Sequence, residues 1–273
     1  RIGKESFRVT EKGTARCAGG EGQLPFALEP GESVPYLDCA GRERSATIEF
    51  DAEGIVIYLG ARLAPGDLSI VGGAGAAAPT DHRVASVDRS RAMKCFACAA
   101  PLPMPGGDDR ALTCRHCGSE TDLDFEQLHC DACGVDLPVS DGDRAGTVVC
   151  SNCQTQYRLD DRVPTPLQSS AQRRKPQVPF RLGQTCTLAR RHYRIAGHLR
   201  VVESSFGTRY VSDEFLLVDR DSRQHKWLIQ YHGHYTLSER IDPPRHVPRP
   251  QQWLPGRTFT ALDRKWQVGE EAA

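Results

Sequence analysis

Apolar and polar positions alternate with a period of two over most of this chain, which predicts strands rather than helices. Thr47-Ile-Glu-Phe50 and Ile55-Val-Ile-Tyr58 flank Asp51-Ala-Glu-Gly54, and a glycine at the turn supports a hairpin. Phe7-Arg-Val9 starts in the same way, while Cys17 to Pro25 reads as a glycine-rich loop. Residues 1–71 thus form an N-terminal β domain, followed by a Gly/Ala/Pro/Asp/Arg linker at 72–94. A second β-rich segment spans 180–242, with its best strands at Glu214-Phe-Leu-Leu-Val-Asp219 and Lys226-Trp-Leu-Ile-Gln-Tyr231. Short polar turns between sequential strands imply an antiparallel meander or small barrel. A proline-bearing linker covers 162–179, and a Pro-rich tail with the start of a further β unit covers 243–273.

A repeat runs through these segments. Gly183-x-Thr185-x-Thr187, then Arg191-x-Tyr193-x-Ile195, recurs as Gly256-x-Thr258-x-Thr260, then Arg264-x-Trp266-x-Val268. Phe7, Val9 and Glu11 align with Trp266, Val268 and Glu270. The chain opens on Arg1 and stops just after the third copy begins, so it reads as a piece of a longer protein.

Eight of the eleven cysteines form four Cys-x-x-Cys pairs, at Cys95/Cys98, Cys114/Cys117, Cys130/Cys133 and Cys150/Cys153. Fifteen residues separate the first two pairs and sixteen the last two. Those gaps suit four-thiolate zinc sites, because two intervening residues let one tight turn aim both sulfurs at one ion. The expectation is two Zn2+ ions, four cysteines each, in tandem zinc ribbons at 95–125 and 126–161. Interleaved pairing, first pair with third and second with fourth, is the alternative; matching strand context inside each quartet favours sequential pairing. Gly118 and Gly134 follow their pairs and ease the turn; Ala99 and Gln154 stand there in the other two. His116 and His129 read as outer or surface residues, and Cys17, Cys39 and Cys186 as buried or idle thiols.

Charge separates the modules. The whole chain is neutral. Residues 95–161 hold twelve Asp or Glu against four Arg and no Lys, which argues against phosphate binding by the ribbons. Residues 162–202 hold nine Arg or Lys and no acid. Arg173, Arg174 and Lys175 there offer peripheral contact with a membrane, and the stretch as a whole an alternative nucleic-acid role. A third reading is an enzyme built on His225, His232 and His234 with Asp213, Glu214 and Asp219. No P-loop, nucleophile elbow or dinucleotide fingerprint occurs, and no stretch is long and apolar enough for a membrane helix. Paired Cys-x-x-Cys without an export signal points to a reducing, cytoplasmic setting.

Leu182-Gly183, Tyr193-Arg-Ile-Ala-Gly197, Asp213-Glu-Phe-Leu-Leu217, Trp227-Leu228 and Gly233-His-Tyr235 together resemble a bacterial family, domain of unknown function 4178. The family's usual Trp-x-Glu-Tyr-x-Leu is Ser212-Asp-Glu-Phe-Leu-Leu here, and its Gly-His-Trp ends in Tyr235. The resemblance covers about a quarter of the chain. It implies companion zinc-ribbon segments and no established activity, with gene linkage to polyamine-synthesis or envelope-stress loci. The combined expectation is a mostly β protein, its small antiparallel domains flanking two ribbons, acting as a non-enzymatic scaffold or adaptor for protein partners.

Overall fold

The computed structural model describes residues 7–27, 31–50, 54–71, 92–106, 109, 111–123, 126–139, 146–160, 163–166, 178–241, 258–261 and 264–267. Along the chain, the first segment gives β1 (Phe7–Leu24), β2 (Ser33–Ala40), β3 (Ser45–Phe50), β4 (Ile55–Arg62) and β5 (Leu68–Val71). The cysteine module gives β6 (Ala111–Thr113), β7 (Glu120–Asp122), β8 (Glu126–His129), β9 (Asp136–Val139), β10 (Thr147–Val149), β11 (Gln156–Asp160) and β12 (Val163–Pro166). Then come β13 (Thr185–Leu188), β14 (Arg191–Ser205), β15 (Thr208–Asp219), β16 (His225–Tyr231), β17 (His234–Ile241), β18 (Thr258–Ala261) and β19 (Arg264–Gln267).

The two β segments on either side of the ribbons are not separate sheets. Strands β1-β2-β3-β4-β17-β16-β15-β14 follow one another by hydrogen bonding, and β14 returns to β1, closing an eight-stranded antiparallel barrel. Local periodicity cannot show such pairing, because the joined residues lie far apart in sequence. The supposed loop at Cys17–Pro25 is the far half of β1. Its Gly22 serves close backbone approach: it has a φ of 77°, and a Cβ there would collide with the Ala196 carbonyl across the β1/β14 ladder. The linker at 162–179 likewise begins as a strand, β12, paired to β11.

The barrel is a duplicated meander. A bulge interrupts β1 between Val9 and Glu11, and another interrupts β14 between Ile195 and Gly197, the aligned positions. The offset that carries Phe7 onto Tyr193 also carries Arg16 onto Val202, and these two face each other across the β1/β14 ladder. One ladder runs Val9, Cys39, Ala46, Leu59; its counterpart runs Ile195, Leu217, Lys226, and the Lys226 ammonium donates to Glu239 at 3.0 Å. Leu59 and Glu239 then pair with each other. An approximate two-fold axis therefore passes through both seams. The hairpin β18–β19 repeats the register of β13–β14, Thr258 opposite Gln267 as Thr185 is opposite Arg194.

Outside the barrel, alternate residues build two apolar faces. Phe7, Cys39, Ala46, Ile48, Ile57 and Leu59 form one. Their two-fold counterparts include Tyr193, Ile195, Leu217 and Leu228, which join Phe96, Val135, Leu137 and Tyr157 of the ribbons in the largest core cluster. The lumen is divided. Leu199, Val201, Leu216 and Trp227, with Leu24 and Val149, fill one part. The rest carries Glu11, Asp38, Glu49, Glu203 and Glu214. Glu49 and Glu214 stand on strands opposite one another in the ring, and the charge of one raises the pKa of the other, as expected inside the barrel.

Candidate metal centres

Each ribbon presents its sulfurs from two tight turns of one design. The carbonyl of Cys95, Cys114, Cys130 and Cys150 accepts from the N–H four residues on, at 2.7, 2.9, 2.7 and 2.8 Å. The N–H of each donates to the carbonyl five residues on, at 2.8, 2.9, 2.8 and 2.8 Å. The residue after the second cysteine is left-handed in all four turns, with φ of 60° at Ala99, 74° at Gly118, 74° at Gly134 and 62° at Gln154. Ala99 and Gln154 accept this conformation although their Cβ makes it costly.

The turns converge in sequence order. Cys95, Cys98, Cys114 and Cys117 form one cluster; Cys130, Cys133, Cys150 and Cys153 form the other; the four sulfurs of each lie within 4.8 Å of one another. Neighbouring sulfurs sit at 3.6 Å for Cys95/Cys117 and Cys98/Cys114, at 3.5 Å for Cys130/Cys153 and at 3.6 Å for Cys133/Cys150. Those spacings are too long for disulfides. They are close to the edge of about 3.8 Å expected when four thiolates surround zinc at about 2.3 Å. The donor set fits zinc, and Zn2+ would neutralise half of the four thiolate charges.

Neighbours tune the sulfurs. Burial raises the Cys117 thiol, but hydrogen bonding with Ser119, whose hydroxyl lies 3.3 Å away, and with Cys98 and Cys95 outweighs it and brings the pKa to about 6. In the second cluster, burial is outweighed at Cys130 by the Tyr157 hydroxyl, which donates at 3.3 Å, and the pKa falls to about 7. Burial pushes Cys95 and Cys150 upward instead. Tyr157 also accepts from the Asp131 N–H at 2.9 Å, and Thr155 Oγ1 lies 3.1 Å from Cys153 Sγ. The clusters contain no histidine. His116 is exposed, and His129 Nδ1 faces Asp136 Oδ1 at 3.2 Å.

The ribbons are bolted to the barrel rather than hung from it. β10 extends the barrel sheet by pairing Val149, Val148 and Thr147 with Gly22, Gln23 and Leu24. Phe96, inside the first Cys-x-x-Cys turn, packs so closely on Gly183 that a Cβ there would collide with its ring. Its carbonyl accepts from Ser151 of the other ribbon, and the Arg194 guanidinium lies 5.9 Å above its ring. Arg181 donates to the Cys117 carbonyl at 3.2 Å. Beside the first cluster a cavity of about 370 Å3 opens, lined by Cys98, Cys117, Ser119, Glu21, Phe180 and Arg181. Phe96 and Tyr157 escaped sequence reasoning, although one lies inside a cysteine pair and the other follows Cys153 by four residues.

The remaining expected groups disperse. Glu214 faces the lumen, where burial raises its pKa to about 8, whereas Asp213 faces outward and binds His198 at 2.9 Å and Arg200 at 2.9 and 2.8 Å. Asp219 caps its turn through the N–H groups of Asp221 and Ser222, both at 2.9 Å. His232 and His234 are exposed at a hairpin tip, His234 in contact with Arg62 at 2.5 Å. Arg181, Arg191, Arg194 and Arg200 of the basic stretch bind partners within the molecule. Arg173, Arg174 and Lys175 lie outside the described residues. Cys39 and Cys186 are buried, which raises both thiols to about 12, and Cys17 Sγ donates to the Gly19 carbonyl at 3.5 Å.

No helix among the described residues is long and apolar enough to cross a membrane. No family model, curated protein or solved structure matches the chain, so the resemblance of segment 181–242 to the domain of unknown function 4178 rests on the quoted residues alone.

Proposed function

We propose that this chain is a non-enzymatic, zinc-stabilised scaffold or adaptor that presents a β barrel to protein partners. The observation that carries the reading is the saturation of both candidate centres. Four sulfurs close round each position, which leaves no vertex for a substrate or water, whereas catalytic zinc keeps one open. The ions, held by Cys95, Cys98, Cys114 and Cys117 and by Cys130, Cys133, Cys150 and Cys153, would contribute folding energy to modules too small to hold cores of their own. A setting in envelope stress or polyamine metabolism, and a cytoplasmic location, belong to the same proposal and rest on the resemblance and the reduced thiols.

Metal analysis of the purified chain tests the first step, with about two zinc ions per chain expected. Affinity purification from the native host tests the second: stable protein partners should be captured and should be lost after chelation. Far less than two zinc ions per chain would remove the foundation, and capture insensitive to chelation would separate partner binding from the ribbons.

A further inference from the structure

One end of the barrel combines features that the scaffold reading does not use. Because neighbouring barrel strands are antiparallel, the β2/β3, β14/β15 and β16/β17 turns lie together at this end. The ribbon strand β10 joins β1 at Gly22–Leu24, towards the other. The β14/β15 turn is a two-residue connection between Ser205 and Thr208, with positive φ at both Phe206 (46°) and Gly207 (77°). Such turns favour Asn-Gly, since a bulky side chain is strained there. Phe206 nevertheless occupies the first position with 75% of its surface exposed, so burial offers nothing to offset the strain. Val211, 52% exposed, adds apolar surface on the same hairpin.

The surroundings are basic. Arg209 follows the tip, and Lys12 and Arg16 stand exposed on β1, the next strand on the other side of β14. A hydrogen bond of 2.8 Å from Ser205 Oγ to the Lys12 carbonyl fixes the tip beside β1. Asp213, a carboxylate on this outward face, is already held by Arg200 and His198. Glu43, in the β2/β3 turn, lies between Arg42 and Arg44. Glu203 faces the lumen, where burial and the nearby Asp38, Glu11 and Glu49 raise its pKa to about 7, so it opposes the basic face only weakly. The cysteine module, with its excess of Asp and Glu, joins β1 towards the opposite end.

We propose that this end of the barrel docks on an anionic lipid surface, with Phe206 entering the interfacial layer and Arg209, Lys12 and Arg16 meeting headgroup phosphates. An aromatic ring on a projecting tip suits the membrane–water interface, and clustered Lys and Arg suit the negative surface potential. Single-stranded nucleic acid instead calls for a row of bases stacked on aromatic side chains along a groove. The neighbouring Tyr210 and Tyr231 rings pack against each other at 6.0 Å and do not extend such a row. Binding through one ring and three cations is weak and reversible.

The experiment uses the zinc-loaded full chain and sedimentation with vesicles of phosphatidylcholine, alone or mixed with phosphatidylglycerol. Binding should require phosphatidylglycerol and fall about tenfold between low and physiological salt. Phe206→Asn, which suits the left-handed turn, should raise Tm while weakening vesicle binding about tenfold. A double Arg16→Glu, Arg209→Glu variant should abolish binding with both zinc ions retained. Absence of binding to anionic vesicles, undiminished binding by folded Phe206→Asn, or displacement from vesicles by single-stranded RNA would each overturn the proposal.

Discussion

The two cysteine clusters share a turn design and differ in what surrounds them. The first belongs to a small core of Met93, Cys95, Leu102, Leu112, Cys114 and Leu123, and two of its sulfurs border the cavity. Cys130 and Cys150 of the second belong to the largest core in the molecule, together with barrel residues such as Phe215 and Leu217. Cys130 and Cys150 of the second ribbon thus join the barrel core directly, whereas the cysteines of the first stay in their own small core and reach the barrel through Phe96.

The largest contrast is expected on losing a ligand. Structural zinc in small ribbons contributes on the order of 10 kcal/mol, comparable to the whole stability of a domain. Cys150→Ser should therefore abolish cooperative unfolding of the barrel, seen by near-UV circular dichroism. Cys117→Ser should lose one zinc and leave the barrel transition in place. Graded chelation should release the ion of the first cluster first, through the cavity. Simultaneous release with barrel collapse would erase the distinction.

Phe96 couples the ribbons to the barrel, so Gly183→Ala should cost about 2 kcal/mol by overpacking. Denaturant unfolding would check this, and zinc content should be unchanged. The pH response separates ribbon from barrel. The raised pKa of Glu214 means that its contribution to stability is intact below its unfolded value, near pH 4.5, and is lost as pH rises towards 8. Glu214→Gln should remove that loss, stabilising the protein at pH 8 and changing little at pH 4. Zinc clusters respond oppositely, gaining affinity as thiols deprotonate. Stability measured from pH 5 to 8 would resolve the two slopes.

Smaller effects compare the turns themselves. Tyr157→Phe deletes the hydroxyl that donates to Cys130 and accepts from Asp131, at a cost of about 1 kcal/mol confined to the second cluster. Ala99→Gly should stabilise the first ribbon by about 0.5 kcal/mol by relieving the left-handed strain. Gln154→Gly should gain less, because Gln154 Nε2 donates to the Cys150 carbonyl at 3.3 Å. Equal gains in thermal melts would show that this bond is without effect.

The clusters were legible in the sequence because ligand spacing is a local property: each pair needs one turn, and each ribbon one or two hairpins. The repeat was legible for a similar reason, since Tyr193 and Trp266 mark equivalent registers. The barrel was not. Its seams join Arg16 to Val202 and Leu59 to Glu239, and nothing local in β1 or β4 announces those partners. Glu214 stood out only as a candidate acid beside the histidines, and Glu49 not at all, because both look like the polar face of ordinary half-exposed strands until closure turns that face inward.

The two-fold seam at Arg16 and Val202 also bears on how fast this protein can fold. Closing the ring requires chain segments separated by the whole cysteine module to meet, which is slow for an untethered chain. The ribbons shorten that search. Once zinc folds the second ribbon, β10 is ready to pair with Gly22–Leu24, and the effective loop between the halves contracts. Zinc would then act as a kinetic clasp as well as a structural one, and refolding in its presence should be faster than the gain in stability alone accounts for.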